Sequence, residues 1–190
     1  GMGTIHGSKY KASFFKKIFF LPRDGSGEIL ASGAPTFSHW MDHFAEVEFV
    51  SGGMSIYRAD LLKKYGYDDR MIRYAYGDDV DLAYRLSRDF KLFFEPKAIV
   101  HHNDEAPGRD PGNIHRKQMI QNMYYLMLKN RGRSVRNQLV FSWFLVGQLL
   151  DDLLHRRGNA FLGNFAAIRN ILSNRVDSVE NFQEFLKKLE

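Results

Sequence analysis

Hydrophobic residues occur in short, interrupted runs up to about residue 102, and beyond residue 114 they recur at helical spacing almost to the end of the chain. Residues 14–21 (FFKKIFFL) are aromatic and β-prone. The Pro-Arg-Asp-Gly-Ser-Gly stretch at 22–27 is a turn signal, and residues 28–32 are placed to return as the second strand of a hairpin. Residues 33–46 are mixed, with Trp40 and Phe44 at helical spacing, and predict no more than a short helix or loop. Residues 47–58 (VEFVSGGMSIYR) form a strand interrupted by Gly52 and Gly53. Glycines there mark either a bulge or a place where a ligand or another backbone comes close.

A short helix over 59–65 is stopped by Gly66. A polar, aromatic-rich loop over 67–77 leads to a helix over 78–89. That helix has carboxylates in its first turn and Arg85 and Arg88 towards its end, the arrangement its dipole favours. Residues 91–94 and 98–102 are apolar runs around Pro96, expected as an edge or interrupted strand, and 103–112 is a loop rich in Asp, Gly and Pro. Helices are expected over 114–129, 135–156, 159–173 and 179–189. The organisation expected is a loose N-terminus (1–13), a mixed α/β domain (14–112) and a helical region (113–190).

Composition narrows the chemistry. The 190 residues contain no cysteine, which excludes a disulfide scaffold, a thiolate zinc site and a cysteine nucleophile. Gly1 before Met2 has the look of a tag remnant, and the basic, aromatic stretch at 9–21 lacks the apolar core and cleavage site of a secretory signal. The net charge is +5, and residues 114–157 hold eight Lys and Arg against two Asp. Nucleic acid, an anionic membrane surface and phosphate-bearing substrates would each answer that charge.

The chemistry concentrates at Gly77-Asp78-Asp79-Val80-Asp81-Leu82, three carboxylates at a loop-to-helix junction. A carboxylate so placed suits general-base work, because the helix N-terminus favours its ionised form and the loop leaves room for a substrate hydroxyl. An ordinary acidic helix cap has the same letters.

The order of motifs around this stretch is more specific. Ser51-Gly52-Gly53-Met54-Ser55-Ile56-Tyr57-Arg58 is followed by Tyr65-Gly66-Tyr67-Asp68-Asp69-Arg70, then by Tyr76-Gly77-Asp78-Asp79-Val80-Asp81-Leu82-Ala83-Tyr84-Arg85-Leu86, and last by Glu95-Pro96-Lys97-Ala98-Ile99-Val100-His101-His102. The succession resembles the C-terminal half of the catalytic domain of family 2 glycosyltransferases, inverting enzymes of the GT-A fold. Just over a quarter of the chain carries it, with a looser similarity through residues 125–147.

The resemblance implies that Asp79 is the general base towards the acceptor hydroxyl. Asp78 stands where the family usually has Glu. Gly52, Gly53 and Met54 would border the acceptor, with Arg85 counted in the same set, although Asp81 and Arg85 also suit holding the helix and its loop in place. His102 falls at the position that in many relatives helps hold a divalent metal (Mn²⁺ or Mg²⁺) and the diphosphate. Asp79-Val80-Asp81 imitates the letters of the family's D-x-D metal motif but lies on a helix after the glycine-rich strand. No such motif is found before Phe49, so the metal is expected only with a nucleotide-binding half that this stretch lacks.

The implied partners are a nucleotide-sugar donor and a saccharide or lipid-linked acceptor, in the cytoplasm or peripherally at the inner face of the plasma membrane. Residues 139–150 (LVFSWFLVGQLL) follow Lys129, Arg131, Arg133 and Arg136 and are too few to span a bilayer. They suit either a core helix or a segment lying on an anionic membrane. No nucleic-acid module is recognisable, and nucleic acid is not an expected partner. A non-catalytic acceptor-binding or assembly module, or a membrane-surface adaptor, are the alternative functions. The expected fold is α/β, or α+β for so partial a GT-A-like domain: a small mixed sheet from the Phe14, Val47 and Lys91 regions with flanking helices, then a helical region. The exposed edge of such a sheet predicts self-association, as a dimer.

Overall fold

The computed structural model describes residues 11–72, 75–99 and 112–189. It is a mixed helix-and-sheet structure of the general α/β or α+β class. The chain separates into two compact units, one formed by Gly1–Asp68 with Asp78–Glu105, the other by Asp69–Gly77 with Ala106–Glu190.

The first unit begins with helix α1 (Phe14–Ile18), where a hairpin strand was expected. Ser13 explains the difference: its Oγ accepts a hydrogen bond from the Lys16 amide and caps the turn. Local capping outweighs the β-propensity of the aromatics, which is weak where strand neighbours are lacking. Among the described residues the sheet is also smaller than expected. Strands β1 (Arg23–Asp24) and β2 (Thr36–Phe37) pair in parallel, and β3 (Ala45–Val47) pairs antiparallel with β4 (Leu92–Phe94). The second pair joins the Val47 and Lys91 regions, as the pattern predicted, with Val47 opposite Leu92.

Gly27 sits close under this pair. Its amide-bearing loop is held by Glu48 and Phe49, whose N–H groups both donate to the Gly27 carbonyl, at 2.8 and 2.9 Å. A Cβ on Gly27 would lie 2.8 Å from Val47 Cβ, and its φ of 74° is in the left-handed region.

After β3 come a single 3₁₀ turn (Gly52–Met54), helix α2 (Ala59–Tyr65) and helix α3 (Asp78–Asp89). Helix α2 ends at Gly66, as its sequence predicted, with the Gly66 amide donating to the Leu62 carbonyl. Val80 and Ala83 of α3 pack on Ile29, Phe37 and Phe49, which fixes the helix against the sheet elements. Val47, Val50, Met54 and Phe94 form a second cluster.

The second unit is helical: α4 (Gly112–Arg131), α5 (Val135–Leu154), α6 (Gly158–Leu172) and α7 (Phe182–Lys187). Helix α4 is the central element, buried at every position from Gln118 to Leu128. Aromatic pairs surround it, Tyr125 against Phe185 at 4.8 Å and Tyr124 against Phe141 at 5.3 Å between ring centroids. The loop of residues 69–77 belongs to this unit. It is tied to α4 by Asn122 Nδ2, which donates to the Tyr76 carbonyl, and to the C-terminal segment by the bridge between Met71 and Val179.

Helices α4 and α6 approach closely at Gly163. A Cβ there would collide with the Asn113 carbonyl oxygen and come within 2.9 Å of Arg116 Cβ. The Gly163→Ala protein is therefore expected to lose about 1–3 kcal/mol of stability despite alanine's better helix propensity, the cost of forcing two packed helices apart. Chemical denaturation measures it, and an unchanged or higher midpoint would contradict the packing described.

A buried polar network pins the same helices. Asp152 is fully buried and accepts from Arg116 Nη2 at 2.9 Å, from Arg157 Nη1 at 3.2 Å and from Asn164 Nδ2 at 2.8 Å. Arg116 also donates to Gln148 Oε1. No helix among the described residues is long and apolar enough to cross a membrane.

Candidate active site

Gly77 enters helix α3 with φ of 91°, a left-handed conformation that turns the chain sharply so that Asp78 opens the helix. The first turn of any helix leaves amides without intrahelical partners. Here the acidic side chains answer them in sequence: Asp78 Oδ1 accepts from the Asp79 amide at 2.7 Å, and Asp79 Oδ1 accepts from the Val80 amide at 2.8 Å. The capping role is real, and for Asp79 it occupies one oxygen.

Its other oxygen reaches across the unit. Asp79 Oδ2 accepts a hydrogen bond from the Gly52 amide at 2.9 Å, joining the first turn of α3 to the 3₁₀ turn. The absence of a side chain at Gly52 permits this approach, since a Cβ there would stand 3.0 Å from Asp79 Cβ. The Gly-Gly interruption is thus a place where the Asp79 side chain, rather than a ligand or another backbone, comes close to Gly52. Each carboxylate oxygen of Asp79 holds one N–H donor and keeps a second lone pair. The residue is half-buried.

Burial pushes the Asp79 carboxyl above the ordinary aspartate range, and the neighbouring Asp78 charge adds to it, while the amides of Gly52 and Val80 pull the other way. Asp78 is raised as well, first by burial and then by the Asp81 charge, with the Asp79 amide opposing. The two carboxylates therefore sit in a partly dry, mutually repelling pair, and both bind a proton more tightly than an exposed aspartate.

Two tyrosines without an assigned role in the sequence stand in the same electrostatic neighbourhood. Burial pushes the Tyr57 hydroxyl up to about 12; the Ser55 hydroxyl opposes this, while Tyr67 and Asp79 add to it. Tyr57 Oη is buried and finds no partner within hydrogen-bonding geometry among the described residues. Tyr67 is half-exposed, and its hydroxyl is raised by burial, then by Asp78 and Asp79. Tyr57 lies within the glycine-rich motif, five positions after Gly52, the only sequence signal that could have pointed to it.

The remaining site residues divide by contact. Gly53 is exposed beside Gly52. The Met54 side chain is buried among Val47, Val50 and Phe94 and supports the turn from beneath. Arg85 is held by three acceptors: its Nε donates to buried Asp81 at 2.9 Å, and Nη1 and Nη2 donate to the Tyr65 and Gly66 carbonyls at 2.7 Å each. It closes the end of α2 onto α3, the positioning role that its motif also allowed.

Replacing Arg85 by lysine keeps the charge but loses the fork that serves three acceptors at once. The expected result is a loss of about 2–4 kcal/mol, with Asp81 left buried and incompletely paired. Thermal unfolding measures it, and a wild-type midpoint would show the clamp to be dispensable.

His102 lies outside the described residues. Among the described residues no three His, Asp or Glu side chains gather as a metal ligand set. Comparison of the chain with protein-family models, curated proteins and solved structures gave no match in any of the three.

Proposed function

We propose that this chain is the acceptor side of an inverting glycosyltransferase of the GT-A type, with Asp79 as general base. The observation that carries the reading is the placement of the Asp79 carboxylate. It sits at a helix N-terminus, half-buried, raised in proton affinity, with a free lone pair on each oxygen and a glycine backbone turn alongside. Neither Gly52 nor Gly53 adds a side chain beside this carboxylate, which suits the approach of a sugar hydroxyl.

In the step so assigned, Asp79 takes the proton of the acceptor hydroxyl as that oxygen forms a bond to the anomeric carbon of the donor sugar. The bond from that carbon to the diphosphate oxygen breaks on the opposite face, its electron pair leaves with the nucleoside diphosphate, and the anomeric configuration inverts. Asp78 raises the basicity of Asp79 by its charge. Tyr67, half-exposed in the field of Asp78 and Asp79, supplies a hydroxyl donor and a ring face suited to a saccharide. The donor is gripped by a nucleotide-binding half distinct from the residues described. Saccharide or lipid-linked acceptors fit the reading, and the latter would place the protein at the cytoplasmic membrane surface.

Amide chemical-shift mapping of the 190-residue protein against a panel of saccharide acceptors tests this. Shifts are expected at Gly52, Gly53, Asp78 and Asp79, and they should weaken in the Gly52→Ala protein, whose added methyl presses on Asp79. Saccharides that leave these amides unmoved at millimolar concentration while nucleotide sugars move them would overturn the acceptor-side assignment.

A further inference from the structure

The Gly52–Met54 turn that meets Asp79 has little in its own backbone to hold it still. Two consecutive glycines leave more torsional freedom than any other residue pair, and a 3₁₀ turn has poorer hydrogen-bond geometry than an α-helix. The Met54 amide donates to the Ser51 carbonyl at 3.0 Å, and the Met54 side chain is anchored among Val47, Val50 and Phe94. Both contacts act at the end of the turn. The glycines at its start need a hold of their own.

Two serines flank the turn, and they behave differently. Ser51, in the capping position, makes no side-chain capping bond. Ser55 leaves the turn in extended backbone, with φ of −112° and ψ of 148°, and its Oγ donates to the Gly52 carbonyl at 3.1 Å. A serine hydroxyl bonded three residues back is common at helical turns. Here the carbonyl it holds belongs to the residue whose amide donates to Asp79 Oδ2 at 2.9 Å. Gly52 is thus tied at both of its backbone polar groups, by Ser55 on the carbonyl and by Asp79 on the amide. Those two ties restrict the torsions that glycine leaves open, and they set the direction from which the amide meets the carboxylate. All of these residues lie within the first unit.

We infer that Ser55 is a positioning residue for the Asp79 base, its hydroxyl locking the glycine turn so that the Gly52 amide holds Asp79 Oδ2 in one orientation towards the acceptor hydroxyl. The inference rests on the general-base reading of Asp79 and adds to it a residue that itself touches no substrate. A base held in a fixed orientation matters because small misplacements of a reacting group are costly in rate.

Ser55→Ala removes the hydroxyl and frees the turn. In NMR of the 190-residue protein, its Gly52 amide should exchange with solvent about tenfold faster, the scale set by losing one hydrogen bond. The Gly52 amide is among the groups that hold the Asp79 carboxyl down, so the Asp79 midpoint should rise in the same protein. Saccharide binding read at Asp78 and Asp79 should weaken by about tenfold. Ser55→Thr keeps the hydroxyl and suits extended backbone, and it should restore all three values. In the wild-type protein the Ser55 resonances should move with the Asp79 titration, a readout that needs no variant to fold. An alanine protein whose Gly52 exchange and Asp79 midpoint match wild type would overturn the inference and leave the reading of Asp79 standing. A threonine protein that behaves like alanine, or Ser55 resonances indifferent to the Asp79 titration, would do the same. Saccharides that move no amide in any of the three proteins would overturn the general-base reading, and the positioning role with it.

Discussion

Replacing Asp79 by asparagine is expected to lower sugar transfer by about 100- to 10,000-fold while leaving the protein folded. The rate is read with a nucleotide-sugar donor in an assembly that supplies a nucleotide-binding half. Asparagine keeps an oxygen for one of the two amides that Asp79 now holds, Gly52 at 2.9 Å and Val80 at 2.8 Å, and removes the proton-accepting charge. The size of the stability change separates a base from a structural cap. The native fold holds the Asp79 proton more tightly than the unfolded chain does, because burial raises its carboxyl. Ionisation therefore costs stability. The cost is absent below the ordinary aspartate range, sets in as pH rises through that range to the raised native value, and is complete at neutral pH. At neutral pH the asparagine protein should thus unfold at a temperature close to that of wild type, the relieved ionisation cost offsetting the lost amide hydrogen bond. A large loss of both activity and stability would make Asp79 a cap and nothing more. The same raised carboxyl places the acid limb of the wild-type pH–rate profile above that of an exposed aspartate.

The largest loss of stability is expected at Asp152. Its replacement by alanine strands Arg116 and Arg157 next to a cavity and leaves Asn164 without its acceptor. Removing one partner from a buried charge network costs about 3–5 kcal/mol, because the remaining charges stay desolvated. Burial itself raises the Asp152 carboxyl, with the two arginines opposing. Asparagine at the same position should cost less, since it retains hydrogen bonding to Asn164. Urea denaturation of both proteins gives the comparison. Equal midpoints for alanine and wild type would mean that the network contributes nothing to holding α4, α5 and α6 together.

Helix positions were legible in the sequence because their signals are local. Asp78 after Gly77 marked the start of α3, Gly66 marked the end of α2, and the spaced apolar residues beyond 114 marked α4 to α6. Strands of two or three residues leave almost no periodicity to read, which is why β1 and β2 went unforeseen. The FFKKIFFL run misled because β-propensity describes fit to a sheet surface, and Ser13 had already capped a helical turn. Helix α5 is apolar around most of its girth, so pattern alone could not tell that Asp151 and Asp152 face inwards while Leu139 and Leu150 face out.

The site followed the same division. Asp79 and Gly52 each stood out within their own motifs, but the hydrogen bond joining them spans 27 positions and exists only once the turn and α3 are packed on one core. Tyr57 carried no motif of its own. Its relation to Asp79 depends on that packing and was invisible along the chain.

The central claim is that one carboxyl, at the start of α3, is set to accept a proton from a bound sugar alcohol. Its most direct measurement is the pH titration of the Asp79 carboxyl carbon by NMR in the 190-residue protein, with and without a saccharide acceptor. The account predicts a midpoint above that of an exposed aspartate and a carbon resonance that moves when the acceptor binds. A midpoint in the ordinary range, or a resonance indifferent to every saccharide offered, would contradict it.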